Sequence, residues 1–444
     1  MLAELYRAAV RAAAPGRALG QALQSIQIHP GARISIVSLG KAAHAMAAAA
    51  VAHLARQRCE PAGGIIVAPE ASLPPHRGLE SIAGDHPLPG ARSLAAASRL
   101  GELAERVTGD DEIWVLLSGG ATSLVAAPEG DLRPEDLRDL YSLLLGSGLD
   151  IVATNVARKR FSRWGAGRLA VALGAGRVRN FIISDVIGDD PAIIGSGPCV
   201  PDPTTAADVR SILTGGGLWT RLPAALRSHL AAVERDPSLE TPKAGHAAFR
   251  RVQARVIASN RMALEAAVSR AAELGLEARL ASATVAGEAA DVGARLVALL
   301  LHYDDPRADL EGESPGRKCL VWGGETTVTL GDRYGRGGRC QELALAASKA
   351  LAAHRAPPGV CLLAAGTDGR DGDTDAAGAI VDRTTWDAIS RAGIDPEGAL
   401  ARHDSYAALD AAGALLRTGL TGTNVMDIMI GLGTMRAAEA EEAA

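Results

Sequence analysis

The sequence predicts a layered α/β protein of two domains with mostly parallel or mixed sheets, and three observations point there. A short β-rich run, a glycine turn and an Ala/Leu-rich helical stretch recur along the chain, first in RISIVSLGKAAHAMAAAAVAHL. The apolar runs GGIIVAP, EIWVLLSGG and RVRNFIISD lack strict alternation, as strands covered by helices on both faces do. Their carboxyl ends carry glycines and charged residues, where α/β sheets present ligand-binding loops. A chain of 444 residues accommodates two large domains. Hydrophobic residues at 48% supply real cores and exclude a mainly disordered chain.

The elements follow in order. In MLAELYRAAVRAAAPGRALG, Glu4, Arg7 and Arg11 recur at helical spacing, which predicts an amphipathic helix and not a signal peptide. AAHAMAAAAVAHLA at 42–55 is the nearest thing to a membrane span, but it is too short and carries His44 and His53. Cys59, Cys199, Cys319, Cys340 and Cys361 are dispersed, which argues for a reducing compartment and against a disulfide scaffold or structural zinc. A soluble, cytoplasmic protein is expected. The polar stretch at 229–253 breaks the strand–helix rhythm and sets the expected domains at 1–240, Rossmann-like, and 241–444, with glycine-rich loops. Beyond it, RVIASNRMALEAAVSRAAELG reads as strand then helix, ARLASATV as a strand, and 287–300 as a long helix. DDPRADLEGESPGRK reads as a surface connection, and KCLVWGGETTVTL as a strand continuing past its glycine pair. VCLLAAG reads as a buried strand ending in an acidic loop, Met426 and Met429 as core, and the final AEAEEAA as a frayed helix end.

With 46 Lys+Arg against 51 Asp+Glu and 3% aromatics, neither a polyanion-binding surface nor a base-stacking platform is indicated. Neither a nucleic acid nor a membrane is an expected partner. Four loops collect the candidate chemistry. Lys41 follows IVSLG at a helix start, where free N–H groups and an ammonium suit phosphate or carboxylate; the plain alternative is an exposed lysine. Ser118, Gly119 and Gly120 end WVLLSGG and could form an anion nest or a simple turn. No Walker loop occurs, and no convincing G-x-G-x-x-G follows the first strand, which counts against a Rossmann dehydrogenase. The basic run Arg158, Lys159, Arg160, Arg163, Arg168 precedes SDVIGDD, a pairing that suggests phosphate and magnesium together. Asp185 and Asp189 there read as metal ligands, a base, or turn caps. Glu325, Arg336 and Arg339 lie near glycine turns, and Asp368, Asp371, Asp373 and Asp375 crowd a loop that is not an EF-hand.

Taken together, SLGKAA (38–43), LLSGG (116–120), SDVIGDD (184–190), SGPCVPDPTT (196–205), GEAADVGARL, WGGETTVTLG, GRGGRCQEL, AAGTDGRDGDTDAAGAIVD and TGTNVMD resemble the glycerate 2-kinase family with a leucine-rich C-terminal module. Some members of that family carry the label hydroxypyruvate reductase. The resemblance covers nearly the whole chain. It implies two α/β domains with an active-site cleft between them, and transfer of the ATP γ-phosphoryl to the 2-hydroxyl of D-glycerate with Mg2+. It implies Lys41, Asp189 and Arg339 as catalytic. Ser118, Gly119, Gly120, Arg158, Arg168, Asn260, Glu325, Asp368 and Asn424 become substrate or nucleotide contacts, and Asp185, Asp189 and Asp371 metal ligands. A homodimer stays open. The chain departs from the family pattern at Arg160 (usually His), Gly165 (Lys), Ala121 and Thr122 (Gly and Ser) and Cys340 (Asn). The competing readings are a nicotinamide-dependent hydroxypyruvate reductase and a metabolite sensor without catalysis.

Overall fold

The computed structural model describes residues 1–29, 31–302, 318–331 and 333–433. The surface connection read at 304–317 and the terminal AEAEEAA lie outside these residues. The chain divides into two compact units, Pro15–Ile257 and a split unit formed by Met1–Ala14 with the chain from Ala258 onward. These do not follow the expected halves 1–240 and 241–444. The polar stretch at 229–253 belongs wholly to the first unit, and the N-terminal helix belongs to the second.

In the Pro15–Ile257 unit, β1 (Arg33–Leu39), β2 (Gly63–Ala68), β3 (Leu79–Ala83), β4 (Asp111–Leu117), β5 (Arg177–Ile183) and β6 (Val252–Ala258) lie in the order β3-β2-β1-β4-β5-β6. The pairs β3–β2, β2–β1, β1–β4 and β4–β5 are all parallel. Apolar residues on both faces of β1 and β4, among them Val37, Leu39, Trp114 and Val115, are buried, which explains why these strands read as runs without alternation. The order reverses between β1 and β4, the position at which parallel α/β sheets present ligand-binding loops at the carboxyl ends of their strands.

The split unit holds β7 (Glu277–Val285), β8 (Lys318–Gly324), β9 (Cys361–Gly366), β10 (Gly378–Asp382), β11 (Leu415–Leu416) and β12 (Asp427–Gly433), in the order β11-β10-β9-β12-β8-β7. Here β7–β8 is parallel, whereas β12 runs antiparallel to both β8 and β9. β8 stops at its glycine pair instead of continuing: Gly324 has φ +147, which turns the chain, and the Glu325 N–H pairs with the Val285 carbonyl at 2.9 Å. The helix Leu2–Ala12 buries Leu2, Leu5, Tyr6 and Ala9 in this unit, and the Tyr6 hydroxyl donates to the Gly366 carbonyl at 2.7 Å. Met426 and Met429 are core, as expected. No helix among the described residues is long and apolar enough to cross a membrane.

Candidate active site

The candidate residues of the Pro15–Ile257 unit gather at three strand ends, those of β1, β4 and β5. Gly40 follows β1 with φ +118, and a β-carbon there would overlap Ser118, so the loops after β1 and β4 touch backbone to side chain. Ser118 ties them: its Oγ donates to the Leu39 carbonyl at 3.3 Å and accepts from the Ala42 N–H at 3.0 Å. Its hydroxyl thus serves the fold at the start of the helix Ala43–Arg56. The Lys41 N–H donates to the Gly119 carbonyl at 2.9 Å, which fixes the lysine's origin, while its exposed side chain has no ion pair among the described residues.

Asp185, just beyond β5, reaches across to Gly119. A β-carbon on Gly119 would overlap its carboxylate and meet its Cγ at 2.6 Å, so only glycine lets the acid lie against that backbone. Burial pushes the Asp185 carboxyl above the usual carboxylate range, and the positive charge of Lys41 pulls it part of the way back. The Lys41 stem and the His86 ring both lie near Gly120: a β-carbon there would meet Lys41 Cγ and His86 Cδ2 at 3.3 Å each. Desolvation, together with the charges of Lys41 and Arg158, lowers the affinity of His86 for a proton. The ring was not singled out in the sequence, because a lone His in GDHPLPG carries no spacing signal. Arg158 stacks on Tyr141, 4.8 Å from the ring centroid, and its Nε has no hydrogen-bond partner. Asp189 stands in a left-handed turn at φ +55, a conformation Asp tolerates, and its carboxylate has no partner among the described residues.

Arg168 does not join this group. Its guanidinium donates to the carbonyls of Lys159, Arg160 and Ser162 at 3.1–3.3 Å and lies 3.5 Å from Glu129, so it closes the carboxyl end of the helix Ile151–Arg160. Its expected ligand contact gives way to a structural one, because its donors are taken. Lys159 and Arg160 are also withdrawn from solvent. Lys159 pairs with Asp202 at 2.8 Å, and Arg160 with Glu240 at 2.9 Å and more distantly with Asp202. The family's lysine at position 165 would not enter freely here, since a β-carbon on Gly165 would meet the Lys159 carbonyl at 3.1 Å.

In the split unit, the helix Arg339–Ala353 begins beside the acidic loop after β9. Arg339 is held by both oxygens of Asp427, at 2.6 and 3.0 Å, and by Glu325 at 2.7 Å. Burial alone would disfavour its charge, but these carboxylates raise its basicity further. Asp427 is the partner the sequence did not flag; it sits in TGTNVMD as the first residue of a buried strand. Asp371, expected on a metal, accepts from the N–H groups of Cys340 (3.2 Å) and Gln341 (2.8 Å), and so caps that helix from another loop. It is buried, and desolvation together with the charge of Asp427 pushes its carboxyl up to about 7. Both oxygens being engaged by amides, it is not presented to an ion. Cys340, in place of the family's Asn, is fully buried beside Asp427 and Asp371, and burial pushes its thiol up. Asn260 is likewise structural, donating to the carbonyls of Val425 (2.8 Å) and Asp427 (2.9 Å). Asn424 accepts from the Met426 N–H at 3.4 Å, and Asp368 from the Arg370 N–H at 3.0 Å; Asp368 lines a cavity of about 650 Å³ with Arg336, Arg339 and His403.

Fold and residue pattern together define a class. Residues 1–231 match the model described as a domain of unknown function, DUF4147, and residues 318–427 match the MOFRL family. The chain belongs to the glycerate kinase family that joins these two modules. It is 35% identical over 438 residues to the glycerate 2-kinase of Pyrococcus horikoshii, covering 96% of each chain. The crystal structure of a glycerate kinase from Thermotoga maritima is similar with a TM-score of 0.84 and 34% identity, over 97% of this chain and 98% of that one. A protein of Agrobacterium vitis provisionally named a hydroxypyruvate reductase is 36% identical over 429 residues, 96% of this chain and 93% of its own.

Proposed function

We propose that this chain transfers the γ-phosphoryl group of ATP to the 2-hydroxyl of D-glycerate, giving 2-phospho-D-glycerate and ADP. One observation carries the reading: relatives named for this activity align over nearly the full length at about a third identity. The residues of the chain offer what such a transfer needs, namely positioning and positive charge around the moving group. Lys41 brings an ammonium with no ion pair among the described residues to a strand end, where it would offset charge on the phosphoryl oxygens. Asp185, whose affinity for a proton is raised, would take the proton of the 2-hydroxyl as its oxygen bonds to phosphorus and ADP leaves. Within the split unit, Arg339 would hold an anionic oxygen by exchanging Glu325 for it, with the Asp427 pair fixing the plane of the guanidinium.

Magnesium typically binds through one or two carboxylates and keeps its other positions for water and phosphate. Among the described residues no group of three or more His, Cys, Asp or Glu could hold a metal by itself. Asp189, with no partner among the described residues, fits the smaller donor set, and the ion would neutralise phosphate charge. The five cysteines form no disulfide, which suits a cytoplasmic setting.

The test is ADP release by the purified chain with ATP, Mg2+ and D-glycerate, with the product assigned as the 2- or 3-phosphate by NMR. Formation of 2-phosphoglycerate is expected. No ADP release, or NADH oxidation with hydroxypyruvate instead, would overturn the reading in favour of the reductase.

A further inference from the structure

We infer that the cavity inside the split unit takes the polyphosphate end of the nucleotide, with His403, fixed by Glu342, as one of its donors. This rests on the kinase reading above and adds the place and contacts of one substrate. The cavity is about 650 Å³, within the range that encloses ligands of nucleotide size and far more than a three-carbon acid fills.

Its floor is a glycine loop pressed between two segments. β-carbons on Gly335, Gly337 and Gly338 would overlap Asp404, Ser405 and Asp371 respectively. The loop's first two amides are used: Gly335 N–H donates to the Arg402 carbonyl at 2.7 Å, and Arg336 N–H to Asp404 Oδ1 at 3.0 Å. The next three, of Gly337, Gly338 and Arg339, have no acceptor among the described residues. Successive free amides of this kind hold phosphate oxygens. The Ser405 hydroxyl, 1% exposed and without a hydrogen-bond partner among the described residues, abuts the same loop at Gly337.

The side chains around the loop agree. Arg336 and Arg370 have no carboxylate partner among the described residues: the guanidinium of Arg336 rests on the Tyr406 ring and its Nε donates to the Asp373 carbonyl. His403 stands at φ +53, an uncommon conformation for a non-glycine residue and one the surrounding loop must hold in place. Its Nδ1 meets the buried carboxylate of Glu342 at 2.9 Å; with Nδ1–H committed there, the imidazolium form of the ring offers Nε2–H as a donor, on a side chain that lines the cavity. Tyr334 and Leu330 also line the cavity and offer apolar area for a base.

The experiment titrates the full chain with the fluorescent analogue mant-ATP. His403→Ala and Arg370→Gln should each weaken binding about tenfold, and His403→Gln, which restores an N–H donor, should recover most of the loss. The KM for D-glycerate and the melting temperature should hardly move. Unchanged mant-ATP affinity in both variants, or a loss that falls on D-glycerate KM, overturns the inference. If H403A unfolds, R370Q decides, because that side chain is exposed. Wild-type kinase activity with normal mant-ATP binding in both variants would sink this site and leave the kinase reading standing. Sensitive mant-ATP binding without phosphorylation of D-glycerate would do the reverse.

Discussion

Gly119→Ala isolates the contact between the β4 loop and Asp185. Gly119 does not need a left-handed backbone, so alanine is tolerated there and the perturbation is purely steric. The new β-carbon would meet Asp185 Cγ at 2.6 Å and overlap its carboxylate oxygen. Carbon atoms in contact sit about 3.5–4.0 Å apart, so the acid must retreat by about 1 Å. A displacement of about 1 Å at a reacting group costs on the order of 100-fold, or about 2.7 kcal/mol of transition-state stabilisation. We therefore expect kcat/KM for D-glycerate to fall about 100-fold in G119A, with the melting temperature nearly unchanged, because the carboxylate moves toward solvent and no buried partner is lost. In a background already lacking the acid, Asp185→Ala, the same substitution should cost almost nothing, since the β-carbon then has room. Steady-state kinetics of the four proteins give the coupling energy directly. A G119A enzyme with wild-type kcat/KM and an unchanged melt, or fully additive losses in the double variant, would refute the assignment of Asp185 to the reaction.

Three further outcomes are expected. Lys41→Ala should leave the melt intact and lower kcat/KM by at least roughly 100-fold, with Lys41→Arg recovering only part, since a planar fork places its donors differently from an ammonium; wild-type kinetics in K41A would remove the lysine from the mechanism. Asp202→Asn should destabilise the protein by about 3–5 kcal/mol in urea titrations, because it strands the fully buried Lys159 beside Arg160 without a counter-charge; a loss no larger than that of an exposed pair would show that the charges relax to solvent. Asp371 binds its proton more tightly folded than unfolded, so its contribution to stability is full below the ordinary carboxylate range and is lost as pH rises to about 7. Asp371→Asn should flatten that decline between about pH 4 and 7 in melts taken across pH; an identical slope in wild type and D371N would show that Asp371 is not the titrating group.

The sequence by itself determined the strands β1, β2, β4 and β5, the glycine turns after them, and Lys41 at a helix start. Each is a local matter, a run of apolar residues followed by a residue type that only a turn or helix end accommodates. It also placed Asp185 and Asp189 in one loop, because they are neighbours in the chain. Tertiary structure decided what depends on partners distant in sequence. The amphipathic face of Leu2, Leu5, Tyr6 and Ala9 announces that something covers it but not what, and it is covered within the split unit, more than 240 residues away. DIMIGLG carries no mark of being antiparallel on both sides, since strand direction is set by the chain's route and not by side-chain pattern. Arg168 and Asp371 looked like ligand-binding residues because charge in a glycine-rich loop has two uses. Which use applies depends on whether backbone carbonyls or amides lie within reach, and only the folded chain brings the carbonyls of Lys159, Arg160 and Ser162 to the one and the amides of Cys340 and Gln341 to the other.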